Sequence, residues 1–475
     1  MAVGGVEILR YVPHKKINAI FIPDLALIMV KKFTHNPLFI FSPFLFYYVY
    51  VIVINKWPTL YGDEIRYVDF AHNLIHGFYS PPAPHINLWN GPGYPLMIAP
   101  FIALKIPVLF ITLLNGLYQY LAVVLLYKAL RLIATNKIAL AGGLLLAIYP
   151  NALSILPVLY TEAFTCFLVS SFIYTITLYY TSENRRHCVI AGLILGYLVL
   201  TKIIFGYVLI ISLVICLAWL LFKKIRPNYF KPVKILLIAF AVTLPYLVYT
   251  WHITGKVFYW GNSGGMSLYW MSTPYENEYG DWKVPELTNN QYPTLFKSKE
   301  VVAILKKNHS KEMQFILKHN EIEQDALFKQ AAINNIKNHP LKFLSNYFDN
   351  YSRMLFNFPY SYAYQDAAIV RNIITGSLIL WASVIGVVLT WRNWRSIISP
   401  VKFLLLITCI YLLLSGALSA YPRQLDVMVP VLLFWIGYLA ANLKKVSLNF
   451  AVKERLEDID LMEMVGEDSV DNNAF

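Results

Sequence analysis

Residues 189–222 read VIAGLILGYLVLTKIIFGYVLIISLVICLAWLLF, an apolar run whose single charge is Lys202. As one helix the run would be about 51 Å long at about 1.5 Å per residue, against a hydrocarbon core about 30 Å thick. One crossing cannot hold it. Splitting the run at Thr201-Lys202 gives two crossings and puts Lys202 at a membrane surface. Leaving it whole puts a charge at mid-membrane, at a cost of at least about 2.5–3.5 kcal/mol. The flanks are basic, Asn184-Arg185-Arg186-His187 on one side and the stretch from Lys223 to Lys234 on the other. By the positive-inside rule both flanks are cytoplasmic, and Lys202 faces the opposite side.

Working outward, further apolar runs cover about 37–54, 107–130, 138–155, 162–180, 233–251, 367–390, 401–419 and 426–443. With the split run they make about ten spans, both termini inside, and every strongly basic loop then falls on the cytoplasmic side. The expected fold class is an all-α polytopic membrane protein with a mixed, mainly helical outer domain, in which the Gly/Ser/Tyr-rich stretch Gly261–Ser267 reads as turns. The expected organisation is an interfacial N-terminal segment at 1–36, a transmembrane core at 37–251 with its first outer loop at 55–94, an outer loop domain at 252–366, C-terminal spans at 367–445 and an acidic cytoplasmic tail at 446–475.

Composition agrees. Of 475 residues, 57% are hydrophobic and 14% charged, with a mean hydropathy of +0.52, whereas soluble domains carry about 45–50% apolar and about 25% charged residues. The net charge of +13 sits in short Lys/Arg clusters between apolar runs. It reads as membrane topology, and no nucleic-acid partner is expected. Cys166, Cys188, Cys216 and Cys409 lie in or beside apolar runs without metal-ligand spacing, so neither a disulfide nor a zinc site is expected. The run from Ile20 to Val30 contains Pro23 and Asp24 and is too short to span; it reads as an interfacial segment, without the pattern of a cleavable signal peptide.

The first outer loop carries the most information. From Asp63 to His76 the apolar positions Tyr67, Val68, Phe70, Ala71, Leu74 and Ile75 have helical spacing, with Arg66, Asp69, Asn73 and His76 opposite. The stretch reads as an amphipathic interfacial helix with Asp63 and Glu64 at its start. Taken alone, Asp63 could be an N-cap and Glu64 a first-turn acid favoured by the helix dipole. Gly91-Pro92-Gly93-Tyr94-Pro95 forces a sharp entry into a short oblique or re-entrant helix, 94–105. Thr161-Glu162 opens a span at its outer end, with Thr161 as a candidate cap. Lys202 could snorkel, and Arg423 could be a solvated loop charge. Together, though, two acids and two bases (Asp63, Glu162, Lys202, Arg423) collect at one membrane face, where ionisable groups are functional candidates. Such a set suits a lipid-linked sugar phosphate. Cations stabilise the charge that builds on the phosphate as the glycosidic bond breaks, and a carboxylate takes the proton of an attacking hydroxyl.

At these residues the chain resembles the C-type (GT-C) membrane glycosyltransferases, nearest to the protein O-mannosyltransferases and lipid A aminoarabinose transferases. The resemblance lies in the order of short motifs. Gly62-Asp63-Glu64 opens the first-loop helix, Pro92-Gly93-Tyr94-Pro95 enters the next, and Thr161-Glu162 opens a span. Asn115, Leu200-Thr201-Lys202, the segment Gly261-Asn262-Ser263-Gly264-Gly265-Met266-Ser267-Leu268-Tyr269, His339-Pro340 and Arg423 with Pro430 follow. It covers about residues 37–445.

The resemblance implies an enzyme using polyprenyl-phosphate sugar donors, with a glycan, lipid or protein acceptor, on the outer face of a cell membrane. Asp63 matches the acid proposed as general base and Glu64 its neighbour, the two expected catalytic residues. Lys202 and Arg423 match basic groups near the donor phosphate. With Glu162, His85, Gly264 and Gly265 they form the expected substrate-binding set. No cofactor is expected, and a divalent metal stays open because Asp63-Glu64 lacks the Asp-x-Asp spacing. The loop after the third span departs from the family in lacking further charges, and 1–36 and 446–475 have no counterpart there. Two other readings stay open, a polysaccharide polymerase or ligase and a transporter of lipid-linked sugars. The absence of an internal repeat speaks against the transporter.

Overall fold

The computed structural model describes residues 36–222, 227–283, 298–362 and 368–442. The expected N-terminal segment, except Asn36, and the acidic tail lie outside them. Among the described residues, the regular structure is helical.

Among the described residues, seven helices are long and apolar enough to cross a membrane: Val108–Arg131, Asn136–Ile155, Glu162–Ser182, Ile204–Leu221, Phe230–Thr254, Val370–Arg392 and Ser399–Gly416. The protein is a multi-pass membrane protein. The expectation of about ten spans is not met at that length. Ser42–Asn55 has 14 residues, Arg185–Thr201 has 17, and the last apolar helix is Val429–Asn442. Each is cut short locally. Ser42–Asn55 is separated from the turn of helix Pro37–Ile40 by Phe41, Arg185–Thr201 stops where Lys202 turns extended, and Val429–Asn442 follows the separate helix Pro422–Asp426. The split of the 189–222 run falls where the lone charge placed it, between Thr201 and Ile204.

Glu162–Ser182 is the central helix, with 72% of its apolar window buried, whereas Val370–Arg392, at 17%, is peripheral. In Glu162–Ser182 five hydroxyl residues are satisfied within the helix: Thr165, Ser171, Thr175, Thr177 and Ser182 each donate to the carbonyl four residues back. A polar sequence is thereby made compatible with an apolar setting.

The loop domain adds Gly264–Met271, Ser298–Ile316, Glu321–Asn338 and Pro340–Phe356. No strand is present among the described residues, so the expected mixed character is absent there. The segment Gly261–Ser267, expected as turns, is helical from Gly264 onward. Tyr269 and Trp270 anchor it in a small core with Leu305, Met313 and Phe328, and that packing overrides the two glycines.

Candidate active site

The site is assembled by three chain segments that the sequence keeps far apart. The first is the helix Asp63–Ile75. Its N-cap is Gly62, at φ +60, a left-handed conformation that favours glycine. Asp63 is therefore the first helical residue rather than the cap. The buried face carries Tyr67, Val68, Phe70 and Ala71, as their spacing requires, and Glu64 with them.

Glu64 does not join Asp63. It pairs with Lys56 and accepts from the Tyr61 backbone N at 3.0 Å and the Leu159 N at 2.7 Å. From the other side Asn115 Nδ2 donates to the carbonyls of Leu156 (3.1 Å) and Val158 (2.8 Å). The turn 156–160 is thus clamped between two buried side chains, and it delivers Tyr160 and Glu162. Thr161 is the N-cap of the Glu162 helix, but its side chain makes no capping bond.

The second segment is the Thr201-Lys202 corner. A Cβ on Gly91 would lie 2.1 Å from the Leu200 carbonyl oxygen, and one on Gly93 would lie 2.6 Å from Thr201 Oγ1. The two glycines of Gly-Pro-Gly exist so that this backbone can approach the corner. There Lys202 Nζ meets Glu162 Oε1 at 2.9 Å.

The third is Tyr421–Asp426. Arg423 donates from a guanidinium nitrogen to Asp63 Oδ2 at 2.8 Å, across 360 residues of chain. It also lies over the rings of Tyr160 and Tyr421. Asp63's other oxygen is held by Arg66, which reaches Asn90 and stacks on Trp89.

The two ion pairs share one field. Burial pushes the Asp63 carboxyl up, but Arg423 and Arg66, then the Arg423 hydrogen bond and the charge of Lys202, outweigh it and hold Asp63 below the usual carboxylate range. Burial works against the Arg423 charge, and Glu162, Asp63 and Tyr67 more than restore it. Three cations (Arg66, Lys202, Arg423) thus face two carboxylates (Asp63, Glu162).

Of the residues singled out from sequence, Asp63, Glu162, Lys202 and Arg423 come together. Glu64 supports them from behind. His85 is exposed, with Glu321 of the loop domain at 3.6 Å, outside the cluster. Gly264 is exposed and has open space around it. Gly265 donates its backbone N–H to Asp325 at 2.7 Å, and a Cβ there would sit 2.1 Å from the Asp325 carbonyl oxygen, so its place is a packing contact.

Sequence reasoning passed over Arg66, placed only on the polar face, and Tyr160 and Asp426. Asp426 lies one turn beyond Arg423, which was the available signal. It accepts from Tyr149 at 2.7 Å. It also lines, with Asn115, Tyr149, Tyr160, Glu162 and Cys166, a cavity of about 20 Å³. Asn115 Oδ1 and Asp426 Oδ2 are buried there without a protein partner, in a space that admits a water molecule.

Fold and site together define a multi-pass membrane protein with a two-carboxylate, three-cation cluster at the ends of its helices, beside a loop domain. No protein-family profile matches the chain, and no curated protein matches it. Among solved structures it is similar to the archaeal oligosaccharyltransferase AglB from Archaeoglobus fulgidus, in complex with an inhibitory peptide and a dolichol-phosphate, at 14% identity and a TM-score of 0.43; the match covers 87% of this chain and 52% of that one. A second structure of the Archaeoglobus fulgidus enzyme, tethered to an acceptor peptide, gives 15% identity and a TM-score of 0.44, over 87% and 50% of the two chains. The chain thus spans about half the length of the solved proteins it matches.

Proposed function

We propose that the protein is a membrane glycosyltransferase that moves a sugar from a polyprenyl-phosphate donor to an acceptor hydroxyl. The observation that carries this reading is the Asp63–Arg423 pair beside the Glu162–Lys202 pair. In the cluster the cations exceed the carboxylates by one, which leaves room for the single negative charge of a sugar phosphodiester. Lys202 and Arg423 are the phosphate's partners; both are bound to carboxylates at rest and exchange them for the donor. A phosphate that draws Arg423 away also removes the main charge holding Asp63 acidic, so donor binding raises the proton affinity of the base.

The acceptor oxygen then attacks the anomeric carbon, its proton passes to Asp63, and the bond from that carbon to the phosphate oxygen breaks. The lipid phosphate leaves with the electron pair, paired to Lys202 and Arg423. Attack opposite the leaving group inverts the configuration. Glu162, once Lys202 has turned to the donor, orients the sugar; Glu64 fixes the first loop, His85 and Gly264 border the acceptor's approach, Gly265 supports that border by packing on Asp325, and the loop domain selects the acceptor. The sided topology, with this face away from the cytoplasm, belongs to the same proposal.

A transporter of lipid-linked sugars is the second reading. It is favoured by the same cation pairs but leaves the carboxylate between two guanidinium groups without a task. Purified protein incubated with a panel of polyprenyl-phosphate monosaccharides separates the two. Release of free polyprenyl phosphate that depends on Asp63 is the expected result. Asp63→Asn turnover equal to wild type would overturn the assignment of the base.

A further inference from the structure

The helix Pro340–Phe356 is folded inside out. Its buried residues are Asn346, Asn350 and Arg353, each 0% exposed, and near its end Met354 at 1%, while Leu341 is 80% exposed, Leu344 50% and Phe348 65%. The three exposed residues follow i, i+3, i+7 spacing and form one stripe. Lys342 turns inward, donating to the Glu278 carbonyl at 2.7 Å and Asn346 Oδ1 at 2.8 Å. A helix facing water buries the opposite set.

Its neighbours say what covers the stripe. Tyr347 and Tyr351 donate to the carbonyls of Leu413 (3.1 Å) and Leu412 (3.0 Å), and Asn350 to that of Gly416 (2.9 Å), all at the end of the span Ser399–Gly416. On another side its C-terminal turn meets the span Val370–Arg392, where a Cβ on Gly376 would lie 2.3 Å from the Leu355 carbonyl oxygen. That span exposes Val370, Ile374 and Leu378, an apolar row along one side of it. The helix therefore lies across span ends, at the level where a bilayer changes from hydrocarbon to headgroup. Tyrosines that reach carbonyls there match that level too.

We infer that Pro340–Phe356 is an interfacial helix of the loop domain, its Leu341–Leu344–Phe348 stripe immersed in the acyl–headgroup boundary of the leaflet on that side. An amphipathic helix held this way enters the boundary by about 5–10 Å. The loop domain is thereby tied to the membrane surface as well as to the spans. The same helix also holds the loop before Arg423, because Arg353 donates to the Ala420 carbonyl at 3.1 Å and Asn350 Oδ1 accepts from the Ala420 N at 2.9 Å. This inference stands apart from the glycosyl-transfer reading.

The test is spin-label accessibility in nanodiscs of phosphatidylcholine and phosphatidylglycerol. Cys166, Cys188, Cys216 and Cys409 are replaced by alanine, and single cysteines are introduced as Leu341→Cys, Leu344→Cys, Phe348→Cys and, as the control on the loop domain, Glu323→Cys. Molecular oxygen concentrates in lipid and a nickel chelate in water. Oxygen accessibility several-fold above that of the chelate at 344 and 348, reversed at 323, is the expected result. Chelate accessibility equal to that at 323 places the stripe in water and overturns the inference. Low accessibility to both reagents means protein covers the stripe, a second copy or another segment of this chain, and overturns it as well. The label at 341 repeats the test if either of the other two variants fails to fold.

Discussion

Asp63 sits between two guanidinium groups, and this contact sets its chemistry. With its pKa held below the usual carboxylate range, Asp63 is ionised throughout the neutral region. The sign follows from linkage. A carboxylate whose folded pKa is depressed contributes stability that is complete above its unfolded value, about 3.9, and lost only as pH falls through the lower folded value. The pH profile of kcat/KM, which reports the free enzyme, should therefore show no acidic limb from Asp63 between about pH 5 and 7. Arg423→Gln removes the largest opposing charge, so any acidic limb should move to higher pH in that variant; a limb that stays where it was would show that Arg423 does not set the acidity. Asp63→Asn should lower turnover by about 10²–10⁴-fold, the contribution typical of a positioned base, and should lower the thermal unfolding midpoint as well, because the ionised carboxylate that favours folding is gone. These residues were visible in the sequence as charges at span ends. Their pairing was not, because a contact across 360 residues leaves no trace in periodicity or spacing. Arg66 was legible only as a polar-face residue, since nothing local says that the i, i+3 partner of Asp63 shares it with Arg423.

Among the elements, the short turn 156–160 and the Thr201-Lys202 corner carry the site. Glu64 and Asn115 clamp the first, and the glycines of Gly91-Pro92-Gly93 admit the second. Glu64→Gln leaves the buried Lys56 charge without its carboxylate. Breaking a buried pair from one side costs about 3–5 kcal/mol, so the variant should unfold at lower temperature as well as lose activity. A wild-type unfolding midpoint in Glu64→Gln would mean that Glu64 is not the clamp. Gly91→Ala places a Cβ 2.1 Å from a backbone oxygen, and the corner must move. Weakened donor binding, a higher KM with less change in kcat, is the expected outcome, because Lys202 sits two residues beyond the contact. Gly91-Pro92-Gly93 was legible as an entry motif from its glycine and proline content and the corner from its lone charge, whereas the partners they approach were not. The reverse holds for Gly261–Ser267. Its glycines read as turns, and burial of Tyr269 and Trp270 made a helix of part of it.

For the whole molecule, hydropathy located the apolar segments, and the lone Lys202 in a 34-residue run divided it correctly. Length was less legible. Seven described helices reach crossing length, because proline, a bend or a charge shortens the others in ways that a sliding apolar window averages away. The inverted helix Pro340–Phe356 shows the same limit. Its pattern announces amphipathicity, but only the bonds to span ends tell which face is wet. The central claim concerns a single site built from the first loop and the last, and a double-mutant cycle on polyprenyl phosphate release tests it most directly. Wild type, Asp63→Asn, Arg423→Gln and the double variant would be compared with one active donor. If the two residues act as a unit, the double variant loses little beyond the more damaging single change. Losses that multiply, or release unaffected by either change, would contradict a shared site.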